Sequence, residues 1–249
     1  RQAIAKAYTK KGARAFDYDF MSGVYERPME ARVVPMAKMP AAHEKTVTLK
    51  NNTDGCRIGF DLGASDFKIS ALKNGKVVFS QEFPWDPRNN PDPEYHYKRL
   101  TEGLEAAVAA LPRVDAIGGS TAGVVVANRI RTASLFRAIK EQNPGTYAVA
   151  QNMFQRLQEE WQVPVEVAND GDVTALAGVI TMNKKGILGL AMGSSEAVGY
   201  VTPKGALTGR ITELAFAPVD LNPNAPKDEW SGDAGVGAMY FSQQEVDFL

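Results

Sequence analysis

Apolar and polar side chains alternate along Arg57-Ile58-Gly59-Phe60-Asp61-Leu62, the period of a half-buried strand. Gly63-Ala64-Ser65-Asp66 reads as a turn, and Phe67-Lys68-Ile69-Ser70-Ala71-Leu72 alternates again. Asn74-Gly75 is a hairpin signal, because both central residues of a type I′ turn need positive φ. A third strand, Lys76 to Phe83, completes an antiparallel meander. A Pro- and Asn-rich loop follows, and then the period becomes helical. Leu100, Leu104, Val108 and Leu111 predict an amphipathic helix over about 95–111. Val114 to Ile117 predicts a short strand ending at Gly118-Gly119. A helix is expected over about 146–161, with Val149, Met153, Leu157 and Trp161 on one face. Pro164 to Ala168 is another strand, running into Asn169-Asp170-Gly171, with Asp172 placed to cap a helix to about Met182. The order β-β-β-α-β-α-β-α is an α/β arrangement.

The opening pattern then recurs. Leu190 to Ala197 can be laid on Phe60 to Phe67, so that Gly193 falls on Gly63, Ser195 on Ser65, Glu196 on Asp66 and, further on, Gly205 on Gly75. Both segments read as strand, Gly/Ser turn, strand, Gly turn. Two related domains are therefore expected, 55–182 and 183–249, the second too short here to rebuild every element of the first. Residues 1–54 stand apart, with 10 Lys/Arg against 6 Asp/Glu and a short helical start around Ile4 to Phe16. They read as an extension that packs on the body or on a partner, or as a solvated basic segment.

Composition narrows the function. The chain has 249 residues, with 28 basic against 29 acidic side chains, and this balance gives no global attraction to nucleic acid or to an anionic membrane. The single cysteine, Cys56, allows no intramolecular disulfide, and with His43 and His96 the only histidines a multi-histidine metal site is not expected. No apolar run approaches the roughly 20 residues that span a bilayer, and the start lacks a secretory apolar core, so a cytoplasmic location is expected. The start also lacks an initiator Met, as a piece of a longer product would.

Two constellations carry chemistry. Gly/Ser turns leave backbone N–H groups and hydroxyls for an anion, so two such turns across a cleft could clamp a polyphosphate; the alternative is a pair of ordinary hairpins. Asp61 has no counterpart in the second copy, where Ala191 stands. One carboxylate near phosphates suits Mg²⁺, which keeps most of its waters, and Lys68 could add positive charge. The second constellation is Asn169-Asp170 at a strand's carboxyl end, where ligands of α/β folds gather. An Asp there can take a proton from a hydroxyl, although the same residues also make a good turn and cap. Arg129, Arg131 and Arg137 could face a phosphate or solvent, and Trp85 and Trp230 sit in loops where an aromatic ring could stack on a sugar or pack the loop.

Taken in order, these segments resemble the ROK family (repressors, open reading frames, kinases), within the sugar-kinase branch of the actin/hexokinase/Hsp70 superfamily. Asp61-Leu62-Gly63-Ala64-Ser65-Asp66-Phe67-Lys68 resembles its D-x-G-G-T-x-x-K phosphate motif, and Gly118 to Gly123 its G-x-x-x-P-G stretch. Ala168-Asn169-Asp170-Gly171-Asp172 resembles E-N-D-A-N, Gly193-Ser194-Ser195 resembles G-T-G, and Glu213-Leu214-Ala215-Phe216 resembles E-x-G-H. The resemblance implies an actin-like ATPase (ribonuclease H-like) α/β fold of two related domains, each opening with a hairpin meander, the second incomplete. It implies phosphorylation of a hexose or related sugar from ATP and Mg²⁺. Asp170 would be the general base, Asn169 and Glu213 would hold the sugar, Asp61 the metal, and Gly63, Ser65, Lys68, Gly193, Ser194 and Ser195 the phosphates. The expected partners are sugar and ATP, with no nucleic acid and no membrane; a homo-oligomer is compatible with the sequence.

There are departures. Phe216 stands where the family has its histidine, no cysteine follows to bind the family's zinc, and Glu196 puts a carboxylate beside the second turn or points it to solvent. These favour a second reading, a non-catalytic sugar- or nucleotide-binding regulator, though residues 1–54 show no helix-turn-helix pattern. A third is an actin-like ATPase acting on a protein.

Overall fold

The computed structural model describes residues 2–41, 46–48, 53–209 and 211–243; His43 lies outside them. The N-terminal segment forms α1 (Gln2–Ala7) and α2 (Ala15–Tyr25) rather than one helix through Phe16. The chain doubles back between them, and the Arg14 N–H donates to the Ala7 carbonyl at 3.0 Å. A short strand, β1 (Thr46–Thr48), ends the segment.

The expected meander is present as β2 (Cys56–Leu62), β3 (Asp66–Lys73) and β4 (Lys76–Pro84). Its second turn has the positive φ values foreseen, +49° at Asn74 and +75° at Gly75. Next come α3 (Pro93–Val108), β5 (Ala116–Thr121), β6 (Val124–Val126) and β7 (Arg129–Thr132), then α4 (Arg137–Gln142), α5 (Tyr147–Gln151), α6 (Met153–Trp161) and β8 (Val165–Asn169). The Asp92 carboxylate caps α3 by accepting the Glu94 N–H at 3.0 Å, and Pro93 fills the first helical position, where no N–H is needed. The helix expected over 146–161 is broken at Asn152, leaving Val149 exposed.

The first sheet has the order β4-β3-β2-β5-β8, with β5 and β8 parallel to β2. β5 does not stop at Gly118-Gly119. Phe60 of β2 is the register neighbour of Gly119, and its ring lies where a Cβ on Gly119 would be, so the glycine makes a slot in the sheet. Ile58, Leu62, Phe67, Ile69, Leu100 and Leu104 close the core between this sheet and α3.

The second lobe contains α7 (Asp170–Met182), β9 (Ile187–Met192), β10 (Glu196–Val201) and β11 (Ala206–Thr208), in the sheet order β1-β11-β10-β9. The N-terminal segment thus adds a strand to the second lobe. Although α7 follows the first sheet directly, it packs on β9 and β10. Gly171 meets the backbone of Val198, and Gly199 that of Gly171 and Asp172, an approach that a side chain at either glycine would block. Among the described residues no strand pairs with the other edge of β9, and Leu188, Leu190 and Met192 are exposed.

The two meanders match as the sequence suggests, with one slip. Leu62 pairs with Phe67 across the first turn, but Met192 pairs with Glu196 across a turn one residue shorter. Glu196 therefore takes the register position of the buried Phe67, not that of Asp66. It is 8 % exposed, so it does not point to solvent.

Candidate functional site

A cleft of about 810 Å³ runs between the lobes. Its lining includes Gly63, Ser65 and Lys68 of the first hairpin, Gly193, Ser194 and Ser195 of the second, Asn169 and Asp170 between them, and Glu213. Asp61 is outside the lining, exposed on β2, though its charge acts on Asp170.

Both turns are closed by their own backbone. The Gly63 N–H donates to the Asp66 carbonyl and the Gly193 N–H to the Ser195 carbonyl, each at 3.0 Å. These two N–H groups are thus already paired, contrary to the idea that the turn glycines present theirs to an anion. Lys68 is also engaged: its Nζ lies 2.5 Å from Asp66 Oδ1 and 3.8 Å from Glu82. Ser65 Oγ donates to Asp66 Oδ2 at 2.8 Å. Trp85, 6 % exposed, buttresses the first turn, its Nε1–H donating to the Gly63 carbonyl at 2.9 Å.

The strand β8 delivers the next pair. Asn169, not Asp172, is the N-cap of α7: its Oδ1 accepts the Gly171 N–H at 2.8 Å. Its Nδ2 donates to the Gly123 carbonyl, also at 2.8 Å, and the same amide donates to the Asp170 carboxylate, which holds the two side chains together. Asp170 opens the helix at the junction of the lobes. Burial pushes its carboxyl above the usual range, and the Asp61 charge adds to this, while the Gly171 N–H opposes it. Burial pushes Asp172 up to about 6, with the Asp170 charge adding and the Tyr200 N–H opposing. Glu213 keeps part of its surface open to the cleft, yet burial, with help from Asp170 and Asp172, raises it to about 7. Carboxyls that hold one another's protons near neutrality are the material of acid–base chemistry.

Aromatic side chains form the far wall. Phe216 lies 5.2 Å from Phe16, 5.7 Å from Phe20 and 5.4 Å from Trp230, ring centre to ring centre. Phe20, Phe216 and Trp230 reach the cleft, so the position held by a histidine in the family motif is here part of an apolar face completed by α2. Of the arginines weighed from sequence, Arg129 and Arg131 pair with Glu26, the C-cap of α2, and Arg137 lies 3.3 Å from Glu229.

Sequence reasoning missed Arg88, the one cation of the loop between β4 and α3. Its Nη2 donates across the cleft to Ser194 Oγ at 3.0 Å, and its Nε is buried without a partner. Burial and the neighbouring Arg137 charge push its guanidinium below the usual arginine value. The loop is pinned by His96, fully buried between the carbonyls of Asp92 (2.9 Å) and Pro87 (3.0 Å). Glu196 lines the cleft beside the second turn, as one of the two sequence readings has it; one carboxylate oxygen is packed against Gly237 without a hydrogen-bond partner among the described residues, and burial raises its pKa.

No family model matches the chain, and no curated protein matches it in sequence. Solved structures do match. A ROK hexokinase from Thermus thermophilus superposes with a TM-score of 0.56 at 18 % identity, over 78 % of this chain and 62 % of that one. A ROK family transcriptional regulator, homologous to the E. coli MLC protein, gives 0.58 at 19 %, over 80 % and 49 %. A ROK family glucokinase from Streptomyces griseus, solved with glucose and AMPPNP, gives 0.55 at 16 %, over 77 % and 59 %. The chain thus has the fold of ROK proteins and spans less than two thirds of the length of each of these three. Kinases and a regulator share that fold about equally, so the fold does not choose between their functions.

Proposed function

We propose that the cleft binds ATP with Mg²⁺ and a hexose or related sugar, and transfers the terminal phosphoryl group to a sugar hydroxyl. The observation that carries this reading is the position of Asp170. It is a half-buried carboxyl at the carboxyl end of β8, an edge strand of the first sheet, in one cleft with both Gly/Ser turns and Glu213. Ser65, Ser194, Ser195 and Lys68 lie where a polyphosphate between the hairpins would meet them. Among the described residues no three metal-ligating side chains cluster, and Mg²⁺ on phosphates needs no such cluster. Asp61, exposed at the end of β2 beside the first turn, suits a water-mediated contact. The bound metal would supply charge neutralisation of the phosphates.

Asp170 would accept the proton of the attacking hydroxyl, and its raised pKa brings it closer to the operating pH. The second lone pair of Asn169 Oδ1 would accept from a sugar hydroxyl, and its amide would hold Asp170 in place. Glu213 would hold a second hydroxyl, and Phe20, Phe216 and Trp230 would cover the apolar face of the ring.

The test is ADP release from Mg-ATP with a panel of hexoses and amino sugars. Sugar-dependent release is expected, and Asp170→Asn should lower turnover by about 10²–10⁴-fold with little change in sugar KM. Full turnover by that variant would remove the base assignment. A second reading, a sugar-binding regulator, is favoured by Phe216, which cannot hydrogen-bond a hydroxyl. Sugar binding without ADP release would establish it.

A further inference from the structure

We propose that Arg88, backed by Arg137, is the anion-binding residue of the cleft and holds the terminal phosphate of a bound polyphosphate chain. This rests on the nucleotide reading above and adds a residue that none of the sequence motifs contains.

Four observations lead to it. First, Arg88 comes from the first lobe and its guanidinium ends at the phosphate turn of the second, 3.0 Å from Ser194 Oγ. It therefore lies between the two hairpins. Second, Arg88 makes no ion pair among the described residues, and its buried Nε–H has no acceptor. A buried donor left unmade is costly, a cost that an entering oxyanion would remove. Third, Arg137 is close enough to depress Arg88, with Glu229 opposing more weakly, so two positive charges share a half-buried wall of the cleft and repel. Among the described residues Arg137's one ion pair is with the exposed Glu229. An anion between the guanidiniums turns that repulsion into attraction. Fourth, other donors are already engaged in part: Lys68 is held by Asp66, and the Gly63 and Gly193 N–H groups close their own turns. A phosphate here needs another strong donor, and the planar guanidinium fork matches two phosphate oxygens at once. The loop carrying it is fixed by the His96 contacts and by Trp85, so the side chain is aimed before any ligand arrives.

The experiment is calorimetric titration with sodium tripolyphosphate, without metal, and in parallel with glucose 6-phosphate. The wild type should bind tripolyphosphate more tightly than the sugar phosphate. Arg88→Ala should weaken tripolyphosphate binding by about ten- to a hundredfold, and Arg88→Lys should fall between, having lost the fork. Arg113→Ala, which removes an exposed arginine far from the cleft, should bind as the wild type does. Thermal melts of the unliganded proteins identify misfolding; if Arg88→Ala does not fold, Arg88→Lys and Arg137→Ala decide. The proposal is overturned by absent tripolyphosphate binding, by equal binding in the Arg88 variants, or by preference for the sugar phosphate. ADP release on the same samples separates the two readings. Arg88-dependent binding without ADP release keeps this inference and removes the kinase, whereas ADP release with Arg88-independent binding does the reverse.

Discussion

Burial makes the carboxyls of the cleft weak acids, and this links the site to the stability of the fold. Glu213 has a folded pKa of about 7, above its unfolded value near 4.5. The folded state therefore binds more protons between those limits, so Glu213's stabilising effect is complete below about pH 4.5 and is lost as pH rises through 7. Thermal unfolding from pH 5 to 8 should show the melting temperature falling with pH in the wild type and falling less in Glu213→Gln. Turnover should move the other way, since Asp170 must be ionised to take a proton. Asp170 and Glu213 were legible in the sequence because short local motifs carry them. Arg88 and Trp85 were not, because their roles arise from contacts with Ser194 and Gly63, far along the chain. Glu196 was matched to Asp66 rather than to Phe67 because a turn one residue shorter shifts the register.

Strands proved the most readable elements, since a period of two is local and survives in β2 and β3. The β6–β7 hairpin went unseen. Its turn residues Ala127 and Asn128 both have positive φ, +52° and +57°, and alanine does not announce such a turn. Gly118-Gly119 misled in the opposite direction, reading as a strand end while serving as a packing slot under Phe60. That slot gives a sharp expectation. Gly119→Ala puts a methyl group into the Phe60 ring in the middle of the first sheet and should destabilise the protein by about 1–3 kcal/mol, read as a lower melting temperature and urea midpoint. Gly118→Ala, where a Cβ would meet nothing within 4 Å, should cost far less.

At the scale of the molecule, two helices join the lobes. α7 belongs to the first by sequence and to the second by packing, which sets Asp170 at the junction. α2 crosses from the side. At its C-terminal end Glu26 pairs with Arg129 and Arg131 on the first lobe. At its other end Arg14 lies 3.3 Å from Asp233, and Phe16 and Phe20 pack on Phe216 and Trp230 of the second. The sequence allowed an extension that packs on the body, but charge and composition do not say which residues it touches. Ion pairs hold the C-terminal end of α2, whereas the other end adds aromatic packing to its one ion pair. Exposed ion pairs fade as added salt screens them, whereas aromatic packing does not. Glu26→Ala should therefore raise amide hydrogen exchange in α2 while leaving β2 unchanged, and moderate salt should do the same to the wild type. The ionic strength of the buffer would then act as a clutch on the helix, freeing it from one lobe while it stays seated on the other, so that the same protein would open more easily in saline than in water.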